Sequence, residues 1–350
     1  MLTLMDMTRE ELQAAFKEKG LPAFRARQVE EWLLKGASFE EMTNLPKSLR
    51  DTLEKEFALG GCRIEHKQVS ALDGTTKYLF AFNDLNMVEG VLMHYKYGNT
   101  LCISTQVGCR MGCAFCASTL EGRVRNLTSG EMLGEVIAAN RDEGDGKERQ
   151  ITNIVLMGSG EPLDNYDEVM RFLRLVSHEK GLNIGLRHIS LSTCGLVPNM
   201  YRLAEEKLPV TLSLSLHAPN DDIRKKLMPV AKAYKMEDVL KACRNYIDKT
   251  GRRVIFEYAL VDQLNSRPEH AAELASRLRG MQCHVNVIPL NSVEENALKG
   301  CDERAINRFM QELSDRHISV TRRREMGDDI DVACGQLRRK HLKNQEDAKC

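Results

Sequence analysis

The first sixty residues carry hydrophobic positions at helical spacing. Leucine, valine, alanine and aromatic residues recur every three or four positions in three stretches, with polar residues between them. Such a pattern predicts short amphipathic helices that each bury one face. Thr8 and Glu11 have the spacing of a capping box just before Leu12, which predicts that the first helix begins there.

Between about 62 and 97 the hydrophobic period falls from helical spacing to two. Tyr78, Phe80 and Phe82 occupy alternate positions, which predicts a strand. Asp73-Gly74, a few residues earlier, is typical of a hairpin turn. We therefore predict that residues 1–97 form an accessory domain of helices followed by a small sheet.

After residue 100, predicted strands and helices alternate to the end of the chain. Thr128 and Glu131 form a second capping box that predicts the start of one of these helices. Six or seven such units favour parallel strands joined by right-handed crossovers, as in a barrel or partial barrel. We predict an α/β fold with a partial (β/α) barrel over residues 98–350. The strand candidates are 101–106, 151–157, 188–194, 210–217, 253–261, 282–288 and 318–323.

Composition and charge narrow the class of protein. Fifty basic residues balance fifty acidic ones, so the overall charge indicates no polyanion partner. No apolar run reaches the roughly 18 residues of a membrane span, and the first residues lack the apolar stretch of a signal peptide. We expect a cytoplasmic protein without membrane association. Its eleven cysteines are then buried, metal-bound or chemically active rather than paired in disulfides.

Three of the cysteines lie together after the first barrel strand. Cys109, Cys113 and Cys116 follow a Cys-x3-Cys-x2-Cys spacing, with Phe115 directly before the last. Structural zinc normally takes four ligands, and no second cysteine or histidine pair completes such a site here. Three thiolates on a four-iron cluster leave one iron open to a substrate. The spacing is similar to the signature of the radical S-adenosylmethionine (SAM) superfamily, with a zinc knuckle as the alternative.

Polar and glycine residues end several predicted strands. Gly158, Gly160 and Glu161 follow the apolar strand 151–156, where glycine allows close approach of a ligand and glutamate supplies an acceptor. Polar groups that converge at one rim of a barrel are typical of a ligand site. Alone, His217 would be interpreted as a hydrogen-bonded core histidine. The further candidates at strand ends are Ser192, Ser215, Leu216, His217 and Asn291.

Two other cysteines leave alternatives open. Ala333 and Gly335 flank Cys334, so its sulfur is sterically accessible, and Cys102 lies seven residues before Cys109. A catalytic thiol should be partly exposed with a depressed pKa. Pattern alone favours buried, inert thiols at both positions.

Taken together, these motifs make the chain similar to the RlmN family of radical SAM RNA methyltransferases. The resemblance runs over nearly the full length and rests on FRARQVEEWL, EMTNLPKSLR, CISTQVGCRMGCAFCAST, GEPLDN, HISLSTCG, SLSLHAPND, KLMPV and DIDVACGQL. It implies methylation at C2 of an adenosine in 23S rRNA and of the anticodon-adjacent adenosine in certain tRNAs. The related Cfr group, which methylates adenine at C8, shares both cysteine motifs and remains an alternative. Ser159 stands where the family pattern has methionine.

The resemblance also implies roles for individual residues. Cys334 would carry the methyl group, and Cys102 would resolve the covalent intermediate as a disulfide. Glu89 matches a proton acceptor of the family, whereas the residues alone indicate only a charge at a strand edge. Cys102 and Glu89 both remain possible bases. The cluster ligands would be Cys109, Cys113 and Cys116, and the SAM contacts would be Gly160, Glu161, Ser192, Ser215, Leu216, His217 and Asn291.

The implied cofactors and partners follow from the same resemblance. One [4Fe-4S] cluster would serve each chain, and two molecules of SAM would be consumed per methylation. An electron donor such as flavodoxin or ferredoxin would reduce the cluster of a monomeric enzyme. Residues 1–97 would contact RNA, although residues 1–60 carry nine basic and eleven acidic side chains. A non-enzymatic, metal-stabilised RNA-binding module is the second alternative.

Overall fold

Three helices and a two-stranded parallel bridge form the first sixty residues. A computed structural model describes residues 2–144, 148–290, 298–330 and 337–341. The predicted capping box is confirmed, because the Thr8 side chain accepts the Glu11 main-chain N–H and the Glu11 side chain accepts that of Thr8. The elements are β1 (Leu2–Thr3), α1 (Arg9–Glu18), α2 (Arg25–Leu33), α3 (Lys47–Glu56) and β2 (Phe57–Ala58).

Twelve further strands follow in the described part of the chain. They are β3 (Arg63–Val69), β4 (Thr76–Ala81), β5 (Met87–Tyr95), β6 (Gly98–Cys102), β7 (Gln106–Gly108), β8 (Arg123–Asn126), β9 (Ile151–Leu156), β10 (Ile189–Thr193), β11 (Thr211–Ser215), β12 (Val254–Leu260), β13 (Cys283–Pro289) and β14 (Val320–Arg322). Ten of them form one sheet in the order β14-β13-β12-β11-β10-β9-β6-β5-β4-β3, and β7 and β8 form a separate ribbon.

Helices alternate with the parallel strands. From β6 to β14 every neighbouring pair in the sheet is parallel, and the sheet stays open, with β14 and β3 at its edges. The predicted α/β fold is thereby confirmed. Among the described residues no helix has both the length and the apolar character needed to cross a bilayer. The helices are α4 (Ser129–Glu143), α5 (Tyr166–Val176), α6 (Val197–Glu205), α7 (Asp221–Leu227), α8 (Met236–Thr250), α9 (Pro268–Leu278) and α10 (Glu303–Asp315), and residues 337–341 are helical.

The small sheet expected in residues 1–97 is continuous with the large one. Strands β3, β4 and β5 are antiparallel to one another, and β5 pairs with β6. We call β3–β5 the antiparallel extension. Its inner strand β4 is buried on both faces, because Tyr78 and Phe80 pack into the main core while Leu79 and Ala81 pack against Met87. The alternating pattern predicted the strand but not its second buried face.

The outer strand β3 is largely exposed and irregular. Five of its seven residues are exposed, and its pairing with β4 shifts between Ile64 and His66. This shift is a β-bulge or a related irregularity, which increases local twist.

A buried network fixes the loops next to the future site. Glu135 of α4 is fully buried and accepts the Ser104 main-chain N–H at 3.1 Å. The Ser104 hydroxyl donates to the Glu89 carbonyl at 2.8 Å and accepts the Ser159 N–H at 2.9 Å. Ser104 thus joins β5, the β6–β7 connection and the loop after β9.

Replacing Glu135 with glutamine should make stability less dependent on pH. Burial raises the pKa of Glu135 well above its usual value, whereas the unfolded carboxyl releases its proton near 4.5. The stability associated with its protonated form is therefore present below that pH and is lost as the pH rises towards the folded pKa. We expect Glu135→Gln to raise Tm by roughly 2–4 °C at about pH 8, with a smaller gain at about pH 5.

Thermal unfolding of the two proteins across this pH range measures the effect. Glu237→Gln is the control, because Glu237 lies exposed in an i,i+4 pair with Lys241. A Tm difference for Glu135→Gln that stays constant with pH would contradict the interpretation.

Candidate functional site

A cavity of about 230 Å³ lies at the carboxyl ends of the parallel strands. Leu156 ends β9, Ser192 lies near the end of β10 and Ser215 ends β11, so three neighbouring strands contribute to one rim. Eight residues predicted from the sequence line this cavity together. They are Cys109, Cys113, Cys116, Gly160, Glu161, Ser192, Ser215 and His217.

The loop that carries the three cysteines is tied at its base and along its length. The ribbon of β7 and β8 closes it, and the Cys109 N–H donates to the Gly122 carbonyl at 2.9 Å. The Thr119 hydroxyl donates to the Cys109 carbonyl at 3.2 Å and accepts the Gly112 N–H at 2.9 Å. The Ala114 N–H donates to the carbonyl at the end of α7 at 2.8 Å. The loop is therefore held by hydrogen bonds of the chain itself.

The donor set of this loop fits an iron–sulfur cluster. Burial raises the pKa of Cys109 to about 11 and raises that of Cys113 further, and the neighbouring Cys116 and Glu161 add to both effects. Several acidic side chains, those of the three cysteines and of Glu161, line the same cavity. Their combined negative charge, once the thiols are deprotonated, favours the binding of a strongly cationic group there. Among the described residues, no three His, Cys, Asp or Glu side chains are arranged to hold a single metal ion. A four-iron cluster suits the loop because each of its three cysteines can bind a different iron.

Two glycines after β9 let the chain pass close to the β6–β7 connection. A Cβ atom at Gly158 would lie 2.7 Å from both the Ile103 carbonyl oxygen and the Ser104 hydroxyl. Gly160 has a φ of +107°, and a Cβ there would lie 2.7 Å from the Gln106 side chain. Glycine is therefore required at both positions by its lack of a side chain.

Glu161 presents a preorganised carboxylate to the cavity. It is 3% exposed, and its two oxygens accept the Leu163 N–H at 3.0 Å and the Cys194 N–H at 2.7 Å. Burial raises its pKa, and these hydrogen bonds oppose the shift. A carboxylate offers about four lone-pair sites, so two main-chain donors leave acceptor capacity for a cationic ligand.

His217 is a neutral imidazole held in a strained backbone position. Its φ is +54°, which is uncommon for a residue with a side chain. Burial, with a smaller effect of Arg224, lowers its pKa to about 3. Nδ1 accepts the Ala259 N–H at 2.9 Å, so the ring proton sits on Nε2. The ring packs edge-on against Phe115, with centroids 4.7 Å apart.

Sequence reasoning missed Arg224, Cys194 and Glu257 as parts of this region. Arg224 is fully buried, and its Nη2 donates to the Cys194 carbonyl at 2.6 Å. Cys194 and Glu257 line the cavity, and burial raises the pKa of Glu257. A charged residue inside an otherwise apolar strand, as in Phe256-Glu257-Tyr258, is the signal that could have identified Glu257.

Other predicted residues lie apart from the cavity wall. Leu216 is fully buried in the core and only its neighbours line the cavity. Cys102 is buried at the end of β6 among Val91, Met93 and Met326. Asn291 and Cys334 lie outside the described residues.

Glu89 is not the strand-edge charge that the residues alone indicated. It lies in β5, between two strands, and is 5% exposed. Its Oε2 pairs with Lys77 Nζ at 2.7 Å, and its Oε1 accepts the Arg338 N–H at 2.7 Å. A smaller pocket beside it brings it near Ser159 and the end of the cysteine loop.

Comparison with known proteins agrees with this geometry. Residues 103–275 match the radical SAM superfamily, and residues 2–59 match the ribosomal RNA large subunit methyltransferase N-terminal domain. The probable dual-specificity RNA methyltransferase RlmN of Clostridium tetani is 51% identical over 345 residues, which cover 98% of each chain. The chain belongs to the RlmN family. The corresponding protein of Clostridium beijerinckii is 52% identical over 99% of this RlmN-family chain and 97% of its own length.

A solved structure supports the same membership. A radical SAM methyltransferase from Sphaerobacter thermophilus superposes on this RlmN-family chain with a TM-score of 0.90 and 44% identity, covering 96% of this chain and 99% of the other. The predicted enzyme class, a transferase, is thereby confirmed, and a purely non-enzymatic binding module is set aside. Radical SAM membership implies a [4Fe-4S] cluster and SAM, which the donor set described above fits.

Gly158→Ala should destabilise this RlmN-family chain more than alanine at a glycine that has no close neighbours. The new Cβ would overlap the Ile103 carbonyl, which is main chain and cannot move aside cheaply. We expect a loss of roughly 1–3 kcal/mol in the free energy of unfolding and weaker SAM binding. Gly185→Ala is the control, since its nearest neighbour would lie 3.7 Å away and about 0.5 kcal/mol at most is expected. Denaturant unfolding and SAM titration measure both; equal losses would contradict the steric argument.

Proposed function

We propose that this chain methylates C2 of adenosine in RNA, with 23S rRNA and tRNA as its substrates. The observation that carries the proposal is the placement of Cys109, Cys113, Cys116 and Glu161 around one buried cavity. Dual-specificity RNA methyltransferases are 51% identical to it over nearly its full length. The residues that line the cavity support the proposed radical SAM chemistry, and the similar proteins support RNA as the substrate class.

The three loop cysteines would hold the cluster, each binding one iron. When bound, a reduced cluster would supply the electron for the cleavage of SAM and so the start of radical chemistry. The contribution of the chain is to hold the thiolates through the loop contacts of Thr119, Gly112 and Ala114. An external donor such as flavodoxin or ferredoxin would provide the electron.

The opposite wall would bind SAM. Glu161, already oriented by two main-chain N–H groups, suits the ammonium of the methionine part. Gly160 allows close approach of the main chain, and the His217 Nε2–H can donate to a ligand oxygen or nitrogen. The remaining contacts proposed from the family resemblance are Ser192, Ser215, Leu216 and Asn291; Leu216 would contribute through its main chain, because its side chain is in the core.

Cys334 would be the methyl carrier. Adenine C2 is electron-poor, so direct attack on the SAM methyl group lacks a nucleophile, whereas a thiolate can take that methyl by displacement. The new S–CH₃ bond forms as the sulfonium S–CH₃ bond breaks, with S-adenosylhomocysteine as the leaving group. The 5′-deoxyadenosyl radical from a second SAM would remove one hydrogen from the S-methyl group, and the resulting carbon radical would add to C2. The adduct would return one electron to the oxidised cluster and give the C2 proton to a base. Attack of Cys102 on Cys334 would then break the S–CH₂ bond and form the disulfide, and the released carbon would take up a proton to become the methyl group. External thiol would then reduce that pair. Two SAM molecules are consumed in each cycle.

The net charge of the chain is zero, so RNA would bind through local groups of basic side chains near the cavity rim. The target base must leave its stack to reach a buried site. Arg323 lines the cavity, and Arg123, after the cysteine loop, pairs with Asp164 at 2.9 Å. We propose both as phosphate contacts at the rim. Arg125 is a weaker candidate, because two carboxylates, those of Asp84 and Glu131, pair with its guanidinium, whereas one, that of Asp164, pairs with Arg123.

Nucleoside mass spectrometry tests the proposed product. RNA from a strain that lacks this gene should lose 2-methyladenosine, and expression of the chain should restore it. Appearance of 8-methyladenosine instead would overturn the C2 assignment in favour of the Cfr-like reaction. Unchanged 2-methyladenosine in the deletion strain would overturn the function itself.

Removing single cysteines should separate the proposed roles. Cys113→Ala should lose iron and produce no 5′-deoxyadenosine, because two thiolates hold a cluster poorly. Cys334→Ala should keep iron and still cleave SAM, but methylate no RNA. Cys243→Ala is the matched control, since Cys243 is fully buried in the core away from the cavity. Iron analysis, 5′-deoxyadenosine release and RNA methylation measure the three variants; methylation by Cys334→Ala would contradict the methyl-cysteine step.

A further inference from the structure

A buried ion pair lies in the antiparallel extension, away from the cluster cavity. Lys77 of β4 is 0% exposed and Glu89 of β5 is 5% exposed, with Nζ and Oε2 2.7 Å apart. Glu89 lies opposite Leu79 in the β4–β5 register, so the pair shares the face of β4 that carries Leu79. This face is the one that the main core does not cover.

The same face holds the end of the described chain. The second oxygen of Glu89 accepts the Arg338 main-chain N–H at 2.7 Å. Leu337 is 3% exposed and packs in one cluster with Leu79, Ala81 and Met87. Residues 337–341 are therefore attached to the extension by a charge-assisted hydrogen bond, by the apolar contact of Leu337 and by the stacking of His341 on His66, whose ring centroids lie 6.3 Å apart.

A second attachment precedes the first along the chain. The Gly327 N–H donates to Asp73 at 3.0 Å, and Asp329 accepts the Ser70 hydroxyl at 2.5 Å and the Ala71 N–H at 2.8 Å. All of these partners lie in the β3–β4 turn. The extension thus holds the chain at 327–329 and again at 337–338, and Cys334 lies between these positions in the sequence.

We propose that Lys77 and Glu89 are positioning residues that anchor Leu337 and Arg338, three and four positions after Cys334 in the sequence. This inference rests on the role proposed above for Cys334. Three residues of chain span at most about 11 Å, so an anchor at Leu337 limits the reach of a thiol three positions earlier. Lys77 compensates the buried charge of Glu89, and Glu89 holds the Arg338 N–H. Glu89 thus acts on residue 338 through its carboxylate, with Lys77 Nζ at Oε2 and the Arg338 N–H at Oε1.

The chemistry of a buried pair explains why both partners are needed. Removing one partner leaves an uncompensated charge in a dry environment, which is strongly unfavourable, whereas removing both charges together is tolerated. Lys77→Met should therefore disturb the anchor, and the double variant Lys77→Met/Glu89→Gln should restore it. Glutamine keeps an oxygen that accepts the Arg338 N–H.

The experiment compares variants of the full, cluster-loaded chain with two readouts. Hydrogen–deuterium exchange measures how firmly 337–341 is held, and protein mass spectrometry measures the rate at which SAM methylates Cys334. Lys77→Met should raise exchange and slow methylation by at least about tenfold. Arg338→Pro, which removes the N–H, should do the same.

Matched controls separate the anchor from general effects of charge. Arg338→Ala keeps the N–H and loses only the pair with Glu121, and Lys241→Met removes the exposed pair with Glu237. Both should stay within about twofold of wild type. The double variant should recover to within about threefold in both readouts.

Two outcomes would overturn the inference. One is unchanged exchange and methylation in Lys77→Met and Arg338→Pro. The other is a Glu89→Gln variant that keeps wild-type exchange but accumulates a covalent protein–RNA adduct, as loss of a base predicts. If wild type itself loads no methyl on Cys334, the proposed function has failed, and exchange alone then decides the anchor.

Discussion

The structure depends on the position of β6 between an antiparallel neighbour and a parallel one. Its main chain pairs with β5 on one side and with β9 on the other. The connection that follows is held against the loop after β9, because the Ser159 carbonyl accepts the N–H groups of Thr105 and Gln106 at 2.8 and 3.1 Å. The cysteine loop begins three residues later. The base of the loop is therefore placed relative to Glu161 by main-chain hydrogen bonds between the β6–β7 connection and the loop after β9, and contacts along the loop hold the rest.

The parallel half of the sheet could be predicted because each strand is a short apolar run between helices. The strand predicted over 151–157 is Ile151–Leu156, and that over 253–261 is Val254–Leu260. The antiparallel extension was harder, because alternation suggests one buried face. Lys77, which is fully buried, looks in the sequence like a solvent-facing residue. Only the pairing of β4 with two strands, and the chain that covers its second face, explain its burial.

The residues of the site also fall into two groups, those that a local sequence pattern predicts and those that only tertiary contacts identify. The cysteine spacing and the Gly-Ser-Gly-Glu run are local patterns, so the sequence could place them at strand ends. Arg224 and Cys194 were missed because their contact joins positions thirty residues apart and depends on how α7 packs. For Glu89 the family resemblance supplied a role, whereas its two hydrogen-bonding partners lie 12 and 249 positions away along the chain. Such pairings become visible only when the strands and the chain end are in place.

The irregular outer strand has a consequence for how copies of the molecule meet. A sheet edge offers unpaired main-chain groups, and a flat, regular edge recruits further strands. Here β3 is irregular and carries charged side chains, while β14, at the opposite edge, has only three residues. Neither edge presents a long, straight ladder to a neighbour. A protein with so extended a sheet is thereby protected against edge-to-edge aggregation, by local backbone shape as much as by charge.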